Sequence, residues 1–409
     1  MKKSTLREYA HLIAVSGVNV QKGQSVIIRC DVSCPEFVEM LAEECYKLGA
    51  AEVEAEWSFL PLTKLAYEYR SEESLSTVKA WELERERYRT ENPPVIISVK
   101  GGDPDGLKGI DEGKQSRVIK ARYGVLAPIT EARDNRYQWC VCVVPTEGWA
   151  KKVFPALALG DAVSLLWDAI LKCARVETGK SVENWKQHDA VLLEKCEKLN
   201  RYNFVSMRYT SSNGTDLTVG LIPDRGSFQG GGCTTLDGVF YNPNIPTEEV
   251  FTTPKAGVAE GIVYATKPLS YNGSLVEDFF IRFAGGKAVE WGAKKGKEVL
   301  DGLIRTDEGS AMLGECALVP FDSPVNRTGL VFFNTLYDEN ACCHVALGRG
   351  YTDTIRGFAE LSREEMHALG VNSSSVHVDF MIGAEDTSVT ATTVDGEEIV
   401  VFRNGTWAI

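Results

Sequence analysis

Along the first half of the chain, apolar positions alternate between two periods. Residues 3–16 carry the spacing of an amphipathic helix, and QSVIIRC at 24–30 reads as a short apolar strand. Phe37, Met40, Leu41, Cys45 and Leu48 then recur at helical spacing, with Gly49 as the C-cap. Val53, Ala55 and Trp57 alternate with Glu52, Glu54 and Glu56, the period of a strand. A helix over much of 73–90 stops at Pro93 and Pro94, and VIISV at 95–99 and WCVCVV at 139–144 read as two more strands. Strand and helix in alternation predict a mostly parallel sheet covered by helices.

The pattern changes near residue 200. A helix at 183–199 gives way to FVSMRYTSSNGTDLTVGLI, in which Asn213-Gly214 between two alternating runs signals a hairpin. Short strands and Gly-rich turns follow, with one helix expected at 293–305. At 409 residues the chain is too long for one ordinary core. The expected organisation is therefore an α/β domain over 1–200 and a β-rich α+β domain over 201–409. Gly230, Gly231 and Gly232 lack a following Gly-Lys-Ser/Thr and read as a turn, not a phosphate loop.

Charge narrows the partners. The net charge of −13 argues against nucleic acid and anionic membranes, which need a basic face. Lys294, Lys295 and Lys297 cluster, but on what reads as a solvated helix face. Arg7, Glu8 and His11 break any signal-peptide core, and no run of about 18 apolar residues occurs. The 11 cysteines include no CxxC pair and leave at least one unpaired, so a reducing cytoplasm is the expected compartment.

Candidate chemistry collects in the second half. Of five histidines, His11, His188 and His367 sit among charged residues on expected helices and read as exposed. His377 and Asp379 in SSVHVDFMIG alternate with Val376, Val378 and Phe380, so both project from one strand face. An imidazole beside a carboxylate suits a divalent first-row metal; a hydrogen-bonded pair without metal is the competing reading. His344 follows Asp338 and Glu339 in an otherwise apolar or small stretch, and Tyr351 follows between Gly350 and Thr352. Glu315 stands alone in the apolar run MLGECALVP, and Glu248 and Glu249 lie between Pro246 and Pro254. Ionised carboxylates in such settings are costly unless paired or bound to a cation. Glu249, Glu315, Glu339, His344, His377 and Asp379 together exceed the needs of one zinc and point to a two-metal hydrolytic site.

NIPTEEVFTTP, LGECALVP, LYDENACCHVALGRGY and HVDFMIG, in this order, resemble the signature segments of the bacterial aminopeptidase T, aminopeptidase S and PepS family. The resemblance spans essentially the whole chain and is loosest at 60–200. It implies that Glu249, Glu315, Glu339, His344, His377 and Asp379 hold two divalent ions (zinc, cobalt or manganese) and that Tyr351 is an active-site residue. It further implies an N-terminal α/β domain, a β-rich metal-binding domain, a homodimer and short peptide substrates. Cys316, Cys342 and Cys343 depart from the smaller or aliphatic residues common beside the ligands. Tyr351 is expected to donate to a developing oxyanion, and Glu315 or Glu248 to serve as general base. Two other readings stay open: an Fe(II) ring-cleaving dioxygenase using His344, His377 and Asp379, and a non-catalytic metal-stabilised binding protein.

Overall fold

The computed structural model describes residues 2–271 and 273–409. The chain forms two compact units, one of Met1–Gln187 with Gly232–Pro246, the other of His188–Gly231 with Thr247–Ile409.

The first unit is built on a four-stranded parallel sheet. Its strands run Glu52–Ser58, Ser25–Asp31, Val95–Lys100 and Trp139–Val143 in spatial order. Val26, Ile28, Ile97, Cys140 and Cys142 are buried, as continuous apolar runs in a helix-covered parallel sheet should be. The first helix, Lys3–Leu12, continues as a π-helical turn to Gly17. The helix expected over 73–90 is two helices, Glu72–Ser76 and Ala80–Glu91. Strand Glu52–Ser58 lies at the sheet edge, and its alternation does not translate into burial. Trp57 is largely exposed, whereas Glu56 is drawn inward by Arg29 at 2.9 Å and Arg89 at 2.7 Å. Residues 232–246 belong here because Asn242 N–H donates to Gly17 O and Val141 bridges Asn244.

The second unit holds two antiparallel sheets. The larger has nine strands, and its hairpin Phe204–Thr210 with Asp216–Gly220 turns at Gly214, whose φ of +99° only glycine adopts readily. The smaller has four strands, in the order His377–Met381, His344–Gly348, Leu313–Leu318, Val250–Thr252. Leu313, Cys316, Leu318, Val345, Leu347, Val378 and Phe380 face a core shared with Val219, Phe279 and Ile281 of the larger sheet. The helix expected at 293–305 starts later, at Lys297–Ile304. Lys294 and Lys295 end the strand Lys287–Lys295 and are not on a helix face.

Candidate metal centre

The four-stranded sheet turns one face to the core and the other to the candidate residues. Alternation alone puts His377 and Asp379 on the second face, with Val378 and Phe380 on the first. Across the pairing, Ala346 opposes Asp379, Gly348 opposes His377, and Met381 opposes His344. Glu315 reaches the same face only through an irregularity. Leu313 and Glu315 are two apart and would share a face in a regular strand, yet the register shifts between them. Leu313 consequently pairs with Leu347 toward the core, and Glu315 pairs with Ala346 toward the site. Gly314 permits this: a Cβ there would meet the carbonyl oxygens of Gly348 and Arg349 at 2.3 Å. Ala317, Ala346 and Gly348 fill the remaining positions with small residues and leave room above the sheet.

The two imidazoles are oriented from behind. His377 Nδ1 donates to Arg349 O at 2.7 Å, and His344 Nδ1 contacts Cys342 O at 3.4 Å. Carbonyls only accept, so each ring donates from Nδ1 and turns Nε2 inward. His377 Nε2 lies 3.0 Å from Glu315 and 3.4 Å from Asp379. His344 Nε2 lies 3.2 Å from Glu249 and 4.0 Å from Glu315. Possible ligand atoms therefore converge in two groups, Glu249–Glu315–His344 and Glu315–His377–Asp379, with Glu315 in both.

Glu339 follows the one-turn helix Thr335–Asp338. Asp338 anchors that turn by accepting from Phe332 N–H at 2.7 Å and Asn334 N–H at 3.0 Å. Asn340, fully buried, accepts from Glu248 N–H at 2.6 Å and donates to Leu336 O at 2.8 Å, so it ties the Glu248–Glu249 segment to the Glu339 segment. The Tyr351 backbone is fixed by Thr253, whose hydroxyl accepts from Tyr351 N–H at 2.8 Å and donates to Tyr351 O at 2.9 Å. Its ring packs 4.8 Å from that of His377 and 5.4 Å from that of Phe251.

Electrostatics shows what the cluster lacks. Burial, with the charges of Asp379 and Glu249, pushes the Glu315 carboxyl up to about 7 against the opposing hydrogen bond from His377. Burial and the charges of Asp379 and Glu249 raise Glu339 well above the carboxylate range. Burial opposes protonation of both histidines, but their carboxylate partners outweigh it and raise both. Asp379 is lowered, because His377 overcomes its burial. Burial and the surrounding acids hold the Tyr351 phenol well above its ordinary value, so it stays a donor at neutral pH. His344 Nε2 and Asp379 Oδ1 are buried with no hydrogen-bond partner. Four carboxylates against two imidazoles, with orphaned inward atoms, fit divalent cations, whose charge would offset the repulsion.

Two sequence expectations meet a different structure. His188 is not an exposed helical residue: its side chain is 10% exposed, and Nε2 contacts Thr247 O at 2.7 Å and Glu248 at 3.7 Å. His11 is half-buried and pairs with Glu44 at 2.9 Å, whereas His367 is exposed. Asn340, Thr253 and Gly314 were not legible as site residues. Their partners lie 92, 98 and about 35 positions away, and the only local sign was their place beside an acidic motif.

This donor set is that of a metal-dependent hydrolase. Residues 2–407 match the thermophilic metalloprotease (M29) family, and the chain belongs to it. The chain is 39% identical to aminopeptidase AmpS of Bacillus subtilis (strain 168) over 404 residues, covering 98% of each protein. It is also 39% identical to aminopeptidase T of Thermus aquaticus over 408 residues, covering 99% of this chain and 98% of that protein. Wild-type AmpT from Thermus thermophilus superposes with a TM-score of 0.90 at 38% identity, with all of both chains covered. Membership of a metalloprotease family makes the chain a peptide-bond hydrolase. Neither convergent group among the described residues is the His344–His377–Asp379 triad of the iron-dioxygenase reading, and these relatives are named aminopeptidases.

Proposed function

We propose that the protein is a two-metal aminopeptidase that removes N-terminal residues from short peptides. One observation carries the reading: two convergent groups of ligand atoms share Glu315. Glu249 and His344 would hold one cation, His377 and Asp379 the other, with Glu315 common to both and Glu339 completing the set. Zinc, cobalt and manganese all suit these donors. Two divalent ions there would supply Lewis acidity and a water acidic enough to attack a peptide carbonyl at neutral pH.

The protein's own groups do the rest. Tyr351, protonated and braced against His377, donates to the oxygen on which negative charge develops. Proton transfer falls to Glu315 or Glu248: Glu315 stands within the cluster, and the Glu248 carboxylate, outside both convergent ligand groups, faces His188. All these residues fall in the unit of His188–Gly231 with Thr247–Ile409, which we assign as the catalytic domain.

The curated relatives are named aminopeptidases, which supports the reading over a non-catalytic binding protein. We extend it to a cytoplasmic homodimer: all 11 cysteines are free, as a reducing compartment would keep them, and the family resemblance implies the dimer. Among the described residues no helix is long and apolar enough to cross a membrane. The test is metal analysis of the purified protein with hydrolysis of leucine p-nitroanilide before and after chelation. Two divalent ions per chain and activity lost with the metal are expected. One iron per chain, or hydrolysis indifferent to chelation, would overturn the proposal.

A further inference from the structure

His377 is the first residue of its strand, and its side chain is 14% exposed where that of His344 is fully buried. Residues 371–376, which deliver it, form neither helix nor strand. The imidazole takes its bearing from Arg349 O, to which Nδ1 donates at 2.7 Å. Arg349 is held in turn by that irregular segment. Its N–H donates to Val376 O at 2.7 Å, and the next N–H, of Gly350, donates to Asn372 O at 2.9 Å. The buried Asn372 side chain adds bonds to Gly348 O at 2.6 Å and Gly309 O at 2.8 Å. The placement of the His377 ring therefore depends on what holds residues 372–376.

One carboxylate grips that segment. Asp307, just after the helix Lys297–Ile304, accepts from the Ser374 hydroxyl at 2.8 Å on Oδ1. On Oδ2 it accepts from the Ser375 N–H at 2.8 Å and the Ser375 hydroxyl at 2.6 Å. The fully buried Ser310 seats it from the other side, donating its N–H to Oδ1 at 2.9 Å. Ser374 passes the grip on, because its hydroxyl oxygen accepts from Val376 N–H at 3.2 Å. Bonds thus run from Asp307 through Ser374, Val376 and Arg349 to the His377 ring. The junction has little slack: a Cβ at Gly309 would meet Ser373 O at 2.0 Å, and one at Gly348 would meet Val376 O at 2.1 Å. Burial opposes ionisation of Asp307, but the serine donors outweigh it and lower its carboxyl, so the grip is charge-assisted at neutral pH. Resting on the two-metal reading above, we propose that Asp307 is a positioning residue for His377, setting the affinity of the cation that Glu315, His377 and Asp379 would share. His344 takes its bearing from Cys342 O instead, so the other cation is spared.

The metal-stripped full chain is titrated with zinc by calorimetry as wild type, Asp307→Ala, Asp307→Asn and Asp386→Asn. Asp386 is the control: it bonds Ser211 and Ser212 by the same chemistry in the same unit, and neither serine is a candidate ligand. Wild type should bind zinc in two steps. Removing groups that stand behind metal ligands weakens affinity by about 10-fold or more, so Asp307→Ala should weaken one step by about that factor and leave the other within about twofold. Asp307→Asn keeps an oxygen that accepts from Ser374 and should recover most of the loss. Asp386→Asn should leave both steps within about twofold of wild type. Should Asp307→Ala lose the wild-type near-UV circular dichroism, Ser374→Ala replaces it. That change cuts the link between Asp307 and Val376 and should weaken the same single step. Two steps unmoved, both weakened alike, or an equal loss in Asp386→Asn would overturn the proposal alone. A single zinc step in wild type overturns the two-metal reading and the proposal with it.

Discussion

Glu315→Gln should make the metal-free protein more stable at alkaline pH while abolishing its activity. In the fold, burial and neighbouring acids raise the Glu315 carboxyl from 4.5 to about 7. A group with a raised folded-state pKa keeps its proton in the native state and surrenders it on unfolding. Its effect on stability is therefore nil below pH 4.5, grows unfavourable as pH rises toward 7, and is constant above that. Each pKa unit is worth about 1.4 kcal/mol, so the charged carboxyl costs the native state about 3 kcal/mol at pH 8 and about 1 kcal/mol at pH 5. Glutamine keeps the shape and carries no charge, and its amide can still meet His377. Urea unfolding of the chelated wild type and variant at pH 5 and pH 8, followed by tryptophan fluorescence, measures the difference. The expected gain is about 2 kcal/mol larger at pH 8 than at pH 5. With divalent metal present the order should invert, because the wild-type cluster gains the linkage free energy of binding. A variant equal to wild type at both pH values, or less stable at pH 8 without metal, would refute the argument that these acids are held at a cost only a cation repays.

Three further outcomes follow from individual contacts. Tyr351→Phe should lower kcat by about 10²- to 10³-fold with KM and metal content near wild type, since it removes one oxyanion donor and keeps the ring packing on His377; retained kcat would exclude Tyr351 from the chemistry. Asn340→Leu should cost about 2 kcal/mol in urea unfolding and weaken metal affinity, because Glu248 N–H and Leu336 O lose their buried hydrogen bonds to the Asn340 side chain; metal titration and unfolding of the same preparation check it. Hydrogen bonds from the Ser212 side chain, the Ser211 hydroxyl and Ser212 N–H lower the Asp386 carboxyl to about 2. Its stabilisation is present above pH 3.8 and lost as pH falls through 2. Exposure limits it to less than about 1 kcal/mol. Asp386→Asn should therefore be less stable than wild type at pH 7 and converge with it near pH 2.

Much of the fold was written in local pattern. The runs at 24–30, 95–99 and 139–144 are largely apolar because a parallel sheet is covered on both faces, and the structure forms strands there. Period-two alternation failed for residues 52–58, where the strand formed but its apolar side chains stayed outside. At the sheet edge Ala55 and Trp57 stay exposed, and two arginines claimed Glu56. The helix expected over 73–90 broke into two, and the one expected from 293 began at Lys297 after a strand ended at Lys295, because helical spacing does not mark where pairing with a neighbouring strand stops.

The site divides in the same way. Sequence by itself determined that His377 and Asp379 share a face, because that follows from the two-residue period of any strand. It also determined that Glu315 and Glu339 are awkward, because an acid in an apolar run carries a desolvation cost wherever the chain goes. Only the tertiary structure decided that Glu249, Glu315 and His344 meet His377 and Asp379, since antiparallel pairing and its register are long-range. It alone decided that Glu315 faces the site and Leu313 the core, because the bulge at Gly314 reverses what alternation predicts. It made His188 a buried partner of the Thr247 carbonyl and Asn340 a strut between two acidic segments. Each of those contacts joins residues dozens of positions apart, and a hydrogen bond of that kind leaves no periodic trace in the chain.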